Sequence, residues 1–295
     1  MDQTIDLQKP RIDTVSSIYK FHTSADVLRL DLVHPVVSGN KWYKLKGWLN
    51  EARQLHKKTI ISFGGAYSNH IVATAAACAA TGFKSIGLVR GERPVVLSHT
   101  LLTAENYGME LMFLTREDYR LKKIPFELSD EMYLINDGGY GKNGLTGVME
   151  LMDDIDISAY THILSAAGTG TTLAGIVMAS GQGQKAVGIS VMKNNHSLED
   201  EINRLLPGDL KDRFSLLHDY HFGGYAKYTS LLIRFMNDWF ERSGMPLDFV
   251  YTGKLFYAVE DLLRKGYFPQ GSRLLLVHSG GLQGNLSLPK GTLIF

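Results

Sequence analysis

Two lysines in one segment of the sequence could carry amine chemistry. Lys41 and Lys44 lie in GNKWYKLKGW, residues 39–48, and a helix that begins near Asn40 would present them on one face. The positive end of a helix dipole disfavours an ammonium group, and so it favours the neutral amine that forms an imine with a carbonyl compound. Together with Lys46 these lysines could also form a solvated basic face, which is the more common arrangement.

A turn rich in glycine and threonine could bind a phosphate group. It lies in AAGTGTTLAG, residues 166–175, after a predicted strand, and the backbone amides at the start of the next helix could surround an anion. The turn lacks the Gly-Lys-Ser/Thr ending of a phosphate-loop kinase. Gly168 and Gly170 match the first two glycines of the dinucleotide-binding fingerprint, but Leu173 stands in place of the third. A phosphate site and a dinucleotide site therefore both stay open.

Three further segments place hydroxyl or amide side chains where a strand ends or a helix begins. They are FGGAYSNH at residues 63–70, VYTGK at residues 250–254 and HSGG at residues 278–281. Free amides at a helix start bind anions, although Ser68 could be only the N-cap and the other segments only turns. The histidines and the paired acids, such as Asp153 with Asp154, lack metal-ligand spacing, so we predict no metal site.

Strands that alternate with helices must position these segments. Apolar runs predict strands at residues 59–63, 85–90, 109–114, 161–167, 186–192 and 273–278. Between them, a stripe formed by Leu45, Trp48, Leu49 and Ala52 predicts a helix after Asn40. This order favours an α/β fold with parallel sheets, in which ligands bind at the carboxyl ends of the strands. The glycine-rich stretch at residues 135–147 is predicted to be the loop that crosses between two domains.

Composition and charge narrow the class of protein. The 295 residues carry a formal net charge of +1, which gives no electrostatic reason to expect nucleic acid or a membrane as partner. The polar start MDQTIDLQKP does not resemble a signal peptide, and no stretch reaches the length of an apolar membrane span. We therefore expect a cytoplasmic protein. The single cysteine, Cys78, lies among alanines, which indicates a role in helix packing.

In the order in which they follow one another along the chain, the five segments resemble the family of 1-aminocyclopropane-1-carboxylate (ACC) deaminase and D-cysteine desulfhydrase. These are tryptophan-synthase-β-like enzymes that depend on pyridoxal 5′-phosphate (PLP), and the resemblance extends from about Gly39 to Gly281. It implies an α/β fold of type II, with two three-layer α/β/α domains whose sheets are mostly parallel. Residues 1–43 and 145–295 would form the large PLP-binding domain and residues 44–144 the small inserted domain. The family is usually homodimeric.

The resemblance also implies which residues bind the cofactor. Lys41 would bond covalently to its aldehyde carbon, Lys44 would neutralise its phosphate, and Asn69 would contact its 3′-oxygen. The phosphate would lie in a cup formed by one turn, namely Gly168, Thr169, Gly170, Thr171 and Thr172. Ser279 would meet the pyridine nitrogen.

A second group of residues is implied for the substrate, which would be a small amino acid. Ser68, Asn69 and His70 would lie near its carboxylate. Tyr225, in GGYAKYT, and Tyr251, in VYTGK, match active-site tyrosines of the family. Lys41, Ser68, Tyr225 and Tyr251 are therefore the predicted catalytic residues.

One position departs from the pattern of the ACC deaminases. Those enzymes have a glutamate where this sequence has Thr252, and a carboxylate would keep the pyridine nitrogen protonated. Threonine at this position resembles the desulfhydrase branch of the family. We therefore predict a lyase that converts D-cysteine to pyruvate, ammonia and sulfide, and we also class it among the hydrolases. The alternatives are an ACC deaminase that produces 2-oxobutyrate and ammonia, a nucleotide-dependent reductase, and a PLP carrier without catalysis.

Overall fold

Two β-sheets form the frame of the protein. The computed structural model describes residues 7–15 and 23–295, and Met1–Asp6 of the N-terminal segment discussed above lie outside them. The strands in these residues, in chain order, are β1 (Arg11–Thr14), β2 (Ser24–Arg29), β3 (Thr59–Gly64), β4 (Lys84–Arg90), β5 (Met109–Leu114), β6 (Met132–Ile135), β7 (His162–Ala167), β8 (Lys185–Ser190), β9 (Phe214–Leu217) and β10 (Arg273–His278).

Helices cover both sheets. In chain order they are α1 (Asn40–Gln54), α2 (Asn69–Thr81), α3 (His99–Asn106), α4 (Arg116–Arg120), α5 (Lys142–Asp153), α6 (Thr171–Ala179), α7 (Leu198–Leu205), α8 (Ser230–Ser243) and α9 (Thr252–Arg264). Within the described ranges, none of these helices is both long and apolar enough to span a bilayer.

The sheets are almost entirely parallel. The larger has the strand order β1-β2-β10-β7-β8-β9, in which β1 pairs antiparallel with β2 and the other neighbours pair in parallel. The smaller has the order β5-β4-β3-β6 and is parallel throughout. The prediction of an α/β fold with mostly parallel sheets is therefore confirmed.

Strand β10 shows why the larger sheet has apolar layers on both faces. Leu274 and Leu276 belong to a core that includes Trp239 of α8, while Leu275 belongs to a second core that includes Val148 of α5. Successive side chains of a strand point to opposite faces, so a continuous apolar run fits a strand that is buried on both sides. The run RLLLVH thus specifies a central strand of a three-layer structure.

The predicted loop at residues 135–147 is only partly a loop. Its second half was assigned wrongly, because α5 begins at Lys142. Gly144 and Gly147 read as turn signals in the sequence, but they lie in the helix, where they allow the backbones of neighbouring segments to approach closely. The proposed domain limits at residues 43/44 and 144/145 fall inside α1 and α5, and the two-domain division stays a prediction.

Candidate active site

The start of α1 touches the end of β10 through a glycine. Gly39 has φ +69°, and a Cβ atom there would lie 1.7 Å from the carbonyl oxygen of Ser279. Only glycine accommodates both this conformation and this approach. As a result Lys41, at the second position of α1, lies near the turn that carries Ser279.

A cavity of about 760 Å³ opens at the carboxyl ends of strands from both sheets. It brings together nearly all of the candidate residues that the sequence identified. Those that line it are Lys41, Lys44, Ser68, Asn69, His70, Gly168, Thr169, Gly170, Thr172, Tyr225, Tyr251 and Ser279. Thr171 is the exception, since its side chain is fully buried and does not line the cavity.

The amine of Lys41 lies in surroundings that favour its neutral form. Burial lowers the pKa of Lys41 to about 8, although the carboxylate of Asp248 acts in the opposite direction. Its Nζ donates a 2.9 Å hydrogen bond to Oδ1 of Asn40 and lies 5.7 Å from the centre of the Tyr251 ring. Near pH 8 a large share of the molecules therefore carries a nucleophilic amine at this position.

Lys44 is a buried cation beside the same cavity. Its Nζ donates to the backbone oxygen of Gly138 at 3.4 Å, and in the part of the chain that the structure describes it forms no ion pair with a carboxylate. Burial, and then the charge of Lys41, lower the pKa of Lys44 well below its usual value. An anion in the cavity would favour the charged form of Lys44 and raise its pKa again.

The turn from Gly168 to Gly170 leads from β7 into α6. The first amides of a helix have no partners within the helix, so those at the start of α6 are available to a ligand. Thr172 Oγ1 accepts a 2.7 Å hydrogen bond from the side-chain amide of Asn40. The start of α1 and the start of α6 therefore face the same volume.

The start of α2 supplies polar side chains on another side of the cavity. Ser68 Oγ accepts a hydrogen bond from the backbone N–H of Ile71 at 3.3 Å, so Ser68 is the N-cap of α2. Asn69 is buried, and its Oδ1 has no hydrogen-bond partner among the residues described. Such an atom calls for a donor from a ligand.

The protonation of His70 follows from its neighbours. The hydroxyl of Ser62 donates to the carbonyl oxygen of Ile135 at 2.9 Å, so His70 Nε2, also 2.9 Å from that hydroxyl, must be the donor of their shared bond. Burial, with Lys41 and Lys44, lowers the pKa of His70 to about 3. The ring is therefore neutral, with an unprotonated Nδ1 that lacks a partner among the described residues. This arrangement suits a hydrogen-bond donor better than a carboxylate.

Two tyrosine hydroxyls meet next to Lys41. The hydroxyl of Tyr251 donates to that of Tyr225 at 3.4 Å, and the ring centres lie 6.0 Å apart in an edge-to-face arrangement. Burial raises the pKa of Tyr225, and raises that of Tyr251 well above its usual value. Both phenols therefore keep their protons at neutral pH.

A buried carboxylate holds the turn that carries Tyr251. Asp248 Oδ2 accepts hydrogen bonds from the backbone N–H groups of Val250 and Tyr251, each at 2.9 Å. Its Oδ1 accepts from the backbone and the hydroxyl of Thr252, at 2.8 and 2.7 Å. Thr252 is fully buried and does not line the cavity.

Comparison with known proteins gives the family of this chain. Residues 27–280 match the family described as pyridoxal-phosphate dependent enzyme. The chain belongs to this family. Its predicted cofactor, PLP, and its assignment as an enzyme are thus confirmed. The family depends on PLP and not on a nucleotide. The alternative of a nucleotide-dependent reductase, which would make the turn from Gly168 to Leu173 a dinucleotide site, is therefore rejected.

Several relatives of this PLP enzyme have names that state an activity. A Pyrococcus horikoshii protein, provisionally named 1-aminocyclopropane-1-carboxylate deaminase, is 29% identical over 278 residues, which cover 88% of this chain and 84% of the relative. The mitochondrial bifunctional D-cysteine desulfhydrase/1-aminocyclopropane-1-carboxylate deaminase of Arabidopsis thaliana is 28% identical and covers 88% of this chain and 72% of its own length.

Solved structures share the fold. The crystal structure of an ACC deaminase homologue superimposes with a TM-score of 0.84 at 28% identity, covering 96% of this chain and 92% of that one. O-ureido-L-serine synthase has the same fold at 14% identity, with a TM-score of 0.71 and coverage of 96% and 92%. The predicted fold type II, like the recognition of the family, is therefore confirmed.

The residues of the cavity fit PLP. A phosphate needs several donors and positive charge, and the open amides of α6 lie on the cavity together with the buried cation Lys44. An aldehyde needs a neutral amine, which Lys41 provides. The unpartnered Oδ1 of Asn69 marks a further polar position that the protein itself leaves unsatisfied.

Three residues at the site were not predicted from the sequence, namely Asn40, Ser62 and Asp248. Asn40 precedes the lysine within the same segment, so its position was available as a signal. Ser62 lies inside an apolar strand and Asp248 precedes a turn, and neither stands in a pattern that indicates a buried hydrogen bond. Only their partners, His70 and Tyr251, reveal what they do.

Proposed function

We propose that this PLP enzyme is a D-cysteine desulfhydrase, a lyase that converts D-cysteine and water to pyruvate, ammonia and hydrogen sulfide. The observation that carries the proposal is the protonated pair Tyr225 and Tyr251 beside the amine of Lys41. A β-elimination needs a base at the α-carbon and an acid at the leaving group, and these side chains supply both.

Lys41 is the base in this proposal. When bound, PLP withdraws electrons from the α-carbon, so that a proton can leave it and the bond to the β-substituent can break. Lys41 Nζ accepts that proton, because its pKa of about 8 leaves it partly unprotonated near neutral pH. Oδ1 of Asn40, 2.9 Å from Nζ, orients the amine.

The tyrosine pair serves the leaving group. Sulfide leaves more easily when a proton reaches it, and the hydroxyl of Tyr225 or Tyr251 can donate one, since both phenols stay protonated. Ser68 and Asn69, at the start of α2, bind the substrate carboxylate, where the helix dipole favours negative charge. His70 presents an unprotonated nitrogen and orients a donor group instead.

The charge of the cavity supports an anionic substrate group and an anionic cofactor. Its lining contains more basic than acidic side chains, namely Lys41, Lys44, Arg90, Arg116 and Lys227 against Asp137. Asp137 is itself paired with Lys122. A phosphate and an amino-acid carboxylate would balance this excess.

The second candidate is ACC deaminase, which several relatives carry in their names. Thr252 favours the desulfhydrase, since this position offers no carboxylate to protonate the pyridine nitrogen. Either reaction uses a small amino acid. The homodimer and the cytoplasmic location, both implied by the resemblance or the composition, stay predictions.

The classification as a hydrolase was wrong. In the proposed reaction the C–S bond breaks by elimination, and water enters only when the released unsaturated amine decomposes to keto acid and ammonia. Bond cleavage by elimination makes the enzyme a lyase, in keeping with its family.

The test is to assay sulfide and keto acid after adding D-cysteine, L-cysteine and ACC separately to the PLP-loaded protein. We expect sulfide and pyruvate from D-cysteine. Lys41→Ala should abolish turnover and the visible absorbance of lysine-bound PLP. The matched control is Lys46→Ala, which removes an exposed lysine of the same helix that pairs with Glu150 and should change neither.

Each other outcome has a definite meaning. Formation of 2-oxobutyrate from ACC, without sulfide from D-cysteine, would establish the second candidate. A coloured protein that turns over none of the three would be a PLP carrier or an enzyme for another amino acid. Turnover at the wild-type rate in Lys41→Ala would refute the role of Lys41.

A further inference from the structure

Lys254 is a buried cation that the reaction described above does not use. It lies in the first turn of α9, three residues after Tyr251, and its side chain is fully buried. Its Nζ donates to the carbonyl oxygen of Gly224 at 2.7 Å and approaches that of Val191 at 3.5 Å. Within residues 7–15 and 23–295 it forms no ion pair with a carboxylate.

This location is unfavourable for an ammonium group. Removal from water penalises a charge, and the positive end of the α9 dipole adds to the penalty. Burial accordingly lowers the pKa of Lys254 to about 8, with Asp248 acting in the opposite direction. An apolar side chain of similar length would avoid this cost, so packing alone does not explain a lysine here.

The carbonyl that Lys254 binds belongs to a segment with unusual backbone conformations. Phe222, Gly223, Gly224 and Ala226 all have positive φ, at 50°, 97°, 120° and 52°. Positive φ is costly for residues other than glycine, and a segment of this kind persists only when surrounding contacts hold it. Tyr225 lies inside this segment, directly after the carbonyl that accepts the hydrogen bond of Lys254.

Lys254 and Asp248 therefore act on two sides of the tyrosine pair. Asp248 holds the turn of Tyr251 by accepting hydrogen bonds from the backbone N–H groups of Val250 and Tyr251, and Lys254 holds the backbone next to Tyr225. Lys254 and Asp248 form no ion pair with each other. The carboxylate oxygens of Asp248 instead accept hydrogen bonds from the backbone N–H groups of Val250, Tyr251 and Thr252. Each charge thus fixes one partner of a contact between hydroxyls.

We propose that Lys254 is a positioning residue that anchors the carbonyl of Gly224 and thereby holds the hydroxyl of Tyr225 against that of Tyr251. This rests on the function proposed above for its effect on turnover, because Tyr225 matters to the reaction only if it serves the leaving group. The anchoring itself is a property of the chain and can be measured without substrate.

The first test measures hydrogen–deuterium exchange of residues 222–228 in the PLP-loaded protein. Lys254→Met keeps the length of the side chain and removes its donors, so exchange in this segment should become faster while the rest of the chain is unchanged. The matched control is Lys84→Met, which removes an exposed lysine at the start of β4 in the other sheet and should leave the segment unchanged. If Lys254→Met does not fold, Lys254→Leu, which also lacks a donor, serves for the same measurement.

The second test is a double-mutant cycle on kcat with Tyr225→Phe. We expect Lys254→Met to lower kcat by about 10- to 100-fold, as displaced catalytic groups do. If Lys254 acts through Tyr225, the double variant should remain within about twofold of Tyr225→Phe alone. A double variant whose losses multiply would overturn the proposal, as would unchanged exchange in a folded Lys254→Met.

These readings separate the two proposals. If the wild type turns over no candidate substrate, the proposed function fails, but faster exchange at residues 222–228 still supports the anchor. If D-cysteine is turned over and Lys254→Met retains both wild-type kcat and wild-type exchange, the anchor fails and the function stands.

Discussion

The side-chain amide of Asn40 donates a 2.7 Å hydrogen bond to the hydroxyl of Thr172, which lies 132 positions later in the chain. The oxygen of the same amide accepts a 2.9 Å hydrogen bond from Nζ of Lys41. Because the nitrogen of an amide donates and its oxygen accepts, the contact with Thr172 determines which atom faces Lys41. Asn40 thereby connects the reactive amine to the helix start that would hold the phosphate.

The pKa of Lys41 and its hydrogen bond with Asn40 predict how cofactor uptake depends on pH. PLP reacts with the neutral amine, so the rate at which cofactor-free protein takes up PLP should rise as pH passes about 8, the pKa of Lys41, and level off above it. Asn40→Asp places a carboxylate beside the ammonium and favours the charged form, so the midpoint should move to higher pH. Stopped-flow absorbance over a pH series measures it, and equal midpoints for both proteins would contradict the role of Asn40.

Thr252 is predicted to stabilise the turn of Tyr251. Its hydroxyl donates to Asp248 Oδ1 and lies 2.8 Å from the backbone nitrogen of Asp248, which donates to it. Thr252→Val should therefore lower the free energy of unfolding by about 1–3 kcal/mol, because it leaves buried polar groups without a partner. Urea unfolding measures the loss. Thr252→Ser keeps the hydroxyl and is the control; a loss as large in Ser as in Val would show that the hydroxyl contacts with Asp248 are not what stabilises the turn.

The same contacts complicate the replacement that the resemblance suggests. Thr252→Glu should change the ratio of activity toward ACC and D-cysteine, but it also brings a second carboxylate against the buried Asp248. The ratio is therefore interpretable only in a variant whose unfolding curve shows a folded protein. An unchanged ratio in such a variant would remove Thr252 from the argument for the desulfhydrase.

Gly147 is predicted to be essential to the contact between α1 and α5. A Cβ atom at Gly147 would lie 1.8 Å from the backbone oxygen of Tyr43, so Gly147→Ala must separate the two helices. We expect a loss of about 1–3 kcal/mol in the free energy of unfolding, together with weaker PLP binding, since α1 carries Lys41 and Lys44. Gly208→Ala, where a Cβ meets nothing within 4 Å, is the control. Equal unfolding curves for both variants would contradict the prediction.

The sequence predicted the parts of the site that have a local pattern. Glycine turns before helices identified the segments of Ser68 and Gly168, and an apolar stripe identified α1. It could not predict Asp248 or Lys254, because their partners are backbone groups brought close only by the fold. A buried charge without an ion pair leaves no mark in a single sequence.

The strands were predictable where they form continuous apolar runs. Continuous apolar runs correctly indicated β3, β4, β5, β7, β8 and β10. The other four strands were not predicted. Strands β1, β6 and β9 have four residues each and are half-buried or exposed along most of their length, while in β2 the polar residues Ser24, Asp26 and Arg29 interrupt the apolar ones. Such strands are defined by their neighbours in the sheet, since their own composition resembles that of a loop.

The position of β10 has a consequence for the synthesis of the protein. This strand lies between β2 and β7, although it is the last strand in the described chain. While the ribosome is at work, strands β3 to β6 can already pair with one another, but the centre of the larger sheet has to wait until residues 273–278 emerge. Ser279 arrives at the same moment, beside Gly39 and the reactive lysine. A chain that stops before residue 273 therefore cannot assemble the cavity, and chemistry begins only after this strand has been made.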